Sequence, residues 1–458
     1  MKQKKPHFTV SNPNPSDIRR LPDRPLLMMV LLTLFTTLFM PAAKAPVSRE
    51  NKAIRETART LADLMAEEYI LPETGRKTAD LILRNIQAGV YDSLRREQDL
   101  AEQLQRDARS LSDDRHIVVR YAPEQIRAGQ NPELREKRSK EARYRSTFEN
   151  HGFAEVRILP GGVGYIKLNS LQASPAAFDT AAAAMGFVAS CHSVIIDLRW
   201  NPGGDSRMVQ LIASYFLGPD PKLLDVFHYR KDSEVKQIWS SPAVPGRFLD
   251  KTDLYLLTSG LTFSAAEGLA YDLQALQRAT IVGETTMGGG HAVKTFTIRD
   301  KFMVYLPHAL SKNPVTGENF QGTGVKPDVA TSRSEALITA HALALETRIR
   351  TEPDTYARTL LQWAHDGIPT SGVFGSDIEK KALPGTYGPS RIALEDDTLY
   401  YYFGPGKLQM IPVREGYFRL DNYDEFRIRV LKDHTGEISG LRICWKDGRT
   451  SNLPRTGQ

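Results

Sequence analysis

The sequence predicts an α/β core set between an N-terminal helical region and a small C-terminal antiparallel β domain. Three observations carry this expectation. Residues 50–111 repeat apolar side chains at three- and four-residue spacing, as in "IRETARTLADLMAEEY" and "LAEQLQRDARSL", the period of an amphipathic helix. From residue 154, apolar runs such as "GVGYIKL", "HSVIIDL", "DLYLLT" and "ATIVGE" alternate with helical stretches at 175–187, 205–217 and 264–275. That alternation is the texture of strands buried on both faces of a sheet. From about residue 383, short strands follow one another, separated by Gly, Asp and Asn turns, as in a small antiparallel domain.

In chain order, residues 1–45 read as an export leader. A basic segment (Lys2, Lys4, Lys5, Arg19, Arg20, Arg24) precedes the uncharged run Leu26–Met40, and a positive region before a short apolar one is the pattern of an export signal. Fifteen residues fall short of the roughly 20 that span a bilayer comfortably. Ala43-Lys44-Ala45 offers a cleavage site, and Pro46 directly after it hinders cleavage. The expectation is therefore an exported protein, periplasmic, secreted or anchored, with residues 26–40 as a candidate membrane tether. Arg19-Arg20 is a poor twin-arginine signal because Pro22 and Asp23 follow where apolar residues belong.

The leader also accounts for the charge. It holds seven Lys/Arg against two Asp/Glu, leaving 53 against 52 in the remainder, so almost all of the net +6 lies there. A near-neutral body does not argue for nucleic-acid binding. The two cysteines, Cys191 and Cys444, form neither a disulfide framework nor a zinc spacing.

Residues 46–118 form the predicted helical subdomain, which ends in a strand candidate, "HIVVRY", opening at His116. Residues 119–153 are charged throughout, as in "PELREKRSKEARYRSTFEN", and read as a solvated helical linker. The core occupies 154–331, with two paired-strand candidates, 222–240 and 293–306, inserted into it. A helical connector, 332–372, leads to the β domain at 380–452. Its aromatics ("LYYYF", Trp445) alternate in the manner of core residues rather than of a binding face.

The chemistry centres on "LTSGLTFSAAEGLA", residues 257–270, where an apolar strand runs into small polar residues and a helix begins at Ser264. Ser264-x-x-Glu267 is a capping box, and a serine at a helix start is more often a cap than a nucleophile. No G-x-S-x-G elbow surrounds it. A nucleophile needs a base, an orienting partner and amides that hold an oxyanion. Asn201-Pro202-Gly203-Gly204 ends another apolar strand ahead of a helix. With the two strands parallel, both ends open on one edge, so the Gly203 or Gly204 amide and the Ala265 amide could flank one carbonyl oxygen.

Four segments in order, D-L-R-x-N-P-G-G (197–204), T-S-x-x-T-F-S-A-A-E (258–267), G-E-T-T-x-G-G-G-H (283–291) and G-x-G-V-K-P-D (322–328), resemble those of the carboxyl-terminal processing peptidases. Relatives of these are the tricorn protease core and the modules of interphotoreceptor retinoid-binding protein. The resemblance covers roughly residues 50–331. It implies a crotonase/ClpP-like ββα spiral core, Ser264 as nucleophile, and Ala265 with Gly203 or Gly204 as oxyanion hole. In the tail-specific branch a lysine follows the serine by twenty-five residues. Here that position is Gly289, Lys294 is out of register, and no PDZ module fits between 120 and 155. These departures point to the tricorn and retinoid-binding branch, in which an upstream histidine is the base.

His116 matches that histidine, with His291 as its competitor; His291 reads better as a wall residue of the substrate loop. The resemblance places a glutamate before the G-x-G-V segment as the third partner, where this chain has Gln321. Glu318, Asp113 or Asp114 could substitute. Asn201, Gly289 and His291 are the candidate substrate contacts. The expectation is an exported serine peptidase acting on peptides or unfolded protein ends, without metal or organic cofactor. A glutamine orients an imidazole without stabilising its charged form, which motivates the alternative of a catalytically impaired member that binds a peptide or small hydrophobic ligand. Acyl transfer or esterase activity would use the same residues.

Overall fold

The computed structural model describes residues 49–231, 234–369 and 377–457. The leader reading at 1–45 lies outside them. Among the described residues no helix is long and apolar enough to cross a membrane.

Three helices open the described chain: α1 (Arg49–Glu68), α2 (Pro72–Gln87) and α3 (Glu97–Arg109). Their apolar stripes, including Leu61, Met65, Ile82 and Leu104, meet Ile117, Val119, Phe302 and Val304 in one cluster. Strand β1 (Val118–Tyr121) follows, then α4 (Pro123–Gln130) and α5 (Pro132–Phe148). The last has no buried residue, as its uninterrupted charge predicts.

The core begins with β2 (Phe153–Leu159) and β3 (Val163–Leu168), then α6 (Pro175–Val188), β4 (Ser193–Asp197), α7 (Ser206–Leu217) and the hairpin β5 (Leu223–Tyr229) and β6 (Val235–Trp239). Next come β7 (Asp253–Thr258), α8 (Ala265–Ala275), β8 (Thr280–Gly283), the hairpin β9 (His291–Ile298) and β10 (Phe302–Lys312), and the short β11 (Val329–Ala330). One sheet runs β11-β8-β7-β4-β3-β2, parallel from β3 to β11 with β2 antiparallel at its edge. A second joins β1, β10, β5 and β6, with β9 on β10.

The parallel strands are buried on both faces for a legible reason. Alternate residues enter opposite clusters: Val194, Ile196, Leu254 and Leu256 pack with α6, α7 and α8. Ile195, Tyr255 and Leu257 instead meet α9 (Ala336–Thr351) and α10 (Thr355–Asp366). Because β4 and β7 are parallel in register, with Asp197 beside Leu257, the loops after both strands leave the same edge of the sheet. That edge is where the site forms.

The C-terminal β domain closes into an eight-stranded antiparallel barrel, from β12 (Gly385–Tyr387) to β19 (Thr450–Gly457). Closure removes the exposed edges of an open sheet. In "LYYYF" the alternation holds over its first four residues: Leu399 and Tyr401 are buried within the barrel and Tyr400 and Tyr402 are half-buried, while Phe403, at the strand end, is exposed. Trp445 packs its ring 4.9 Å from that of Phe426. Both cysteines are free.

Candidate active site

Ser264 sits on a loop held by its neighbours' backbone. After β7, the Ser259 amide donates to Thr262 Oγ1 (3.0 Å), and that hydroxyl donates to the Leu198 carbonyl (2.8 Å). The Ser259 hydroxyl reaches the Arg199 carbonyl (2.5 Å), and the Phe263 amide reaches that of Asn201 (3.0 Å). The loops after β4 and β7 are thus stitched into one unit. Ser264 itself takes φ 55° and ψ −124°, a conformation that costs a non-glycine residue about 1–3 kcal/mol.

Glu267 holds it there. Its carboxylate, fully buried, accepts from the Ser264 amide (2.7 Å), the Thr286 hydroxyl (2.5 Å), the Gly288 amide (2.6 Å) and the Gly289 amide (2.8 Å). The Thr286 hydroxyl in turn accepts from the Val325 amide (2.7 Å). One carboxylate therefore ties the start of α8 to the glycine run and to the G-x-G-V loop. Burial pushes its pKa up, and these donors oppose the shift. The glutamate arm of the capping box exists, while the Ser264 side chain faces a histidine.

That histidine is His116: its Nε2 lies 3.2 Å from Ser264 Oγ. It stands just before β1, which pairs with β10. Arg109 on α3 clamps the segment by donating to the Ile117 carbonyl (2.7 Å) and the Arg115 carbonyl (2.8 Å). The ring is 8% exposed and packs on Phe263, centroids 4.5 Å apart. Gly289, the position of the missing lysine, explains itself sterically. A Cβ there would lie 2.6 Å from His116 Cε1 and 2.2 Å from Phe263 Cε2.

Asp114 lies behind the imidazole. Its Oδ1 accepts from the His116 amide (3.0 Å) and is 3.8 Å from His116 Nδ1, beyond hydrogen-bond length. Its Oδ2 bonds His291 Nδ1 (2.7 Å) and accepts from the Tyr69 hydroxyl (3.2 Å). His116 Nδ1 is buried and has no hydrogen-bond partner among the described residues. Burial pushes the His116 imidazole down to about 4; Asp114 opposes the shift, and His291 and Arg109 add to it. Burial alone would raise the Asp114 carboxyl, yet the His291 bond and charge and the His116 amide hold it below its ordinary value.

Other expected residues lie elsewhere. Glu318 is exposed on the turn after β10, where its amide and carbonyl make only local bonds. The Gln321 side chain accepts from the Gly290 amide (2.7 Å). Neither bonds His116, so the carboxylate behind the imidazole is Asp114, one of the alternatives in the sequence. Asn201 is fully buried and holds its own turn, donating to the Leu168 carbonyl and accepting from the Gly203 amide, both at 2.9 Å. The Gly203 amide is therefore engaged. Gly203 is needed as glycine, because at φ +103° its Cβ would lie 2.8 Å from the Phe263 carbonyl. The amides of Gly204 and of Ala265 carry no bond among the described residues; Ala265 is the first residue of α8, and a helix start leaves its first amides free.

A cavity of about 350 Å³ opens beside this arrangement, lined by Ser264, Ala265, Gly204, Gly289 and His291 among others. A hydroxyl against a neutral imidazole, with two free amides nearby, can carry out acyl transfer. No group of three or more potential metal ligands occurs among the described residues. Glu267 reads in the sequence only as a cap; Phe263 appears there only as a letter of the serine motif, and nothing local in the chain marks Tyr69.

Comparisons with known proteins agree with the motifs. Residues 162–331 match the model of peptidase family S41, and residues 46–149 match that described as the N-terminal domain of peptidase S41 in eukaryotic IRBP. The chain is 28% identical over 175 residues to a carboxy-terminal-processing protease of Bartonella bacilliformis, spanning 37% of this chain and 38% of that relative. Among solved structures it is similar to a lipoprotein from Streptococcus agalactiae (17% identity, TM-score 0.47, 64% of this chain and 97% of that one). It is also similar to the photosystem II D1 C-terminal processing protease (14% identity, TM-score 0.40, 63% and 94%).

Proposed function

Because the chain belongs to peptidase family S41, a family of serine peptidases, we propose that it hydrolyses peptide bonds of peptides or unfolded protein ends, with Ser264 as nucleophile and His116 as base. The 3.2 Å approach of His116 Nε2 to Ser264 Oγ carries this reading. The imidazole takes the hydroxyl proton as Ser264 Oγ attacks the carbonyl, and the oxyanion accepts from the Gly204 and Ala265 amides. His116 then gives the proton to the leaving amine. Water, activated by the same imidazole, cleaves the acyl ester and restores Ser264. Asp114 stabilises the transient imidazolium; closing the 3.8 Å gap to Nδ1 would satisfy that orphan atom.

The test is hydrolysis of a peptide library by the purified protein, beside Ser264→Ala and His116→Ala. Each variant is expected to lose at least about 10²-fold in kcat/KM. Hydrolysis that survives Ser264→Ala overturns the reading.

A second reading, a binding module in the same cleft, is favoured by the unpartnered Nδ1 and depressed basicity of His116. It predicts peptide affinity in Ser264→Ala together with no turnover in the parent. Export, supported by the leader sequence at residues 1–45, is part of the proposal. Cell fractionation that leaves the full chain in the cytosol would exclude it.

A further inference from the structure

The cavity beside Ser264 has a polar floor that the peptidase reading does not use. Asp272 and Asp225 line it, with exposures of 4% and 9%. Asp225 is well bonded: it accepts from the Val226 and Lys312 amides at 2.7 and 3.0 Å and from the Ser311 hydroxyl at 2.7 Å. Asp272 is not. Its Oδ1 accepts from Asn313 Nδ2 (2.9 Å), and its Oδ2 takes no hydrogen bond among the described residues. A buried carboxyl with an open oxygen is costly unless something occupies the space it faces.

The route to that oxygen is open. Ser264, Gly268 and Asp272 fall at four-residue spacing along α8, and all three line the cavity. Gly268 contributes no side chain between the other two, and a Cβ added there would meet nothing within 4 Å. Eight residues of helix rise about 12 Å between Cα atoms, a span that an extended Lys or Arg side chain, the Asp272 side chain and the hydrogen bond between them cover together. Apolar walls from Leu224, Phe227, Ile238 and Phe320 suit the aliphatic stem of such a side chain. The other charges do not compete at the floor. Lys236 is exposed, and Asp205 is paired with Arg207 at 2.7 Å.

We propose that this cavity takes the side chain adjoining the scissile bond and selects lysine or arginine, with Asp272 as the specificity-determining carboxylate and Asp225 as its support. The assignment rests on the peptidase reading and names its substrate class. Burial, reinforced by the Asp225 charge, pushes the Asp272 carboxyl well above its ordinary range, and the Asn313 hydrogen bond opposes the shift. A cationic head group entering the floor opposes that shift, because a nearby positive charge favours the ionised carboxylate.

The experiment compares matched peptides bearing lysine, arginine, norleucine or glutamate at that position, in the parent, Asp272→Asn and Gly268→Val. Gly268→Val fills open space, so it keeps the test independent of any folding loss in Asp272→Asn. The parent is expected to favour the basic peptides over norleucine by about tenfold or more, and both variants to lose that preference. Equal or better cleavage of norleucine by the parent overturns the assignment, as does an unchanged preference in both variants. Fluorescence polarisation of the same peptides on Ser264→Ala separates the two readings. Tighter binding of the lysyl peptide without hydrolysis by the parent keeps the pocket and sinks the peptidase. Hydrolysis without basic preference does the opposite.

Discussion

His291 Nδ1 bonds Asp114 Oδ2 at 2.7 Å, while Asp114 Oδ1 stops 3.8 Å short of His116 Nδ1. One carboxylate thus stands between two imidazoles and is spoken for by the one that does not touch Ser264. The acid limb of the pH profile reads this sharing. Only neutral His116 can accept the serine proton, so kcat/KM of the parent should rise with pH through about 4 and stay flat above. His291→Ala removes a neighbour that lowers the His116 pKa and frees Asp114, moving the limb to higher pH. Asp114→Asn removes the group that raises it, moving the limb down and lowering the plateau. A limb unmoved by either variant would contradict the arrangement.

The same imidazole leaves a mark on stability. Its folded pKa lies below the ordinary value of 6.5, so the unfolded chain binds the extra proton between pH 6.5 and about 4. Stability present above 6.5 is lost as pH falls through that window, on the order of 3 kcal/mol in all. His116→Gln, which cannot titrate, should flatten this part of the Tm–pH curve. An equally steep curve in the variant would assign the loss to other groups.

Gly289 decides whether a lysine could serve in place of the histidine. Gly289→Lys puts a Cβ into the His116 and Phe263 rings, so it should disrupt the existing base without creating a new one. Displacing a reacting group by about 1 Å costs on the order of 10²-fold. Activity retained or raised in Gly289→Lys would mean that the histidine geometry is not the working one.

Glu267→Gln replaces an acceptor of four donors with a group that turns its own N–H toward some of them. Each charge-assisted bond is worth about 1.5–3 kcal/mol, so a drop in stability of several kcal/mol is expected, with activity falling as Ser264 loses its backbone support. Glu318→Ala, at an exposed turn, should leave kcat within about twofold, in line with surface substitutions generally. Thermal melts and kcat on both variants check this pair.

Much of this was legible in the sequence, and the limits have physical causes. The run of Val194, Ile195 and Ile196 gave a strand buried on both faces because consecutive side chains point to opposite clusters. Glycine turns beside two parallel strands placed Gly204 and Ala265 on one edge. The third partner was harder to read. Asp114 and His291 meet across 177 residues through the pairing of β1 and β9 with β10, and no local pattern encodes that contact. Gln321 stands where the resemblance expects a carboxylate, but its side chain turns to the Gly290 amide. Nothing in the sequence singles out Asp272, since only the tertiary fold turns it toward a cavity.

The central claim is that Ser264 is a nucleophile armed by His116, and active-site labelling tests it most directly. A peptidyl phosphonate with a good leaving group, followed by intact-mass measurement and peptide mapping, should add one phosphonyl group to Ser264 in the parent. It should add none to Ser264→Ala and react far more slowly with His116→Ala. Failure to label the folded parent, or equal labelling of His116→Ala and the parent, would contradict it.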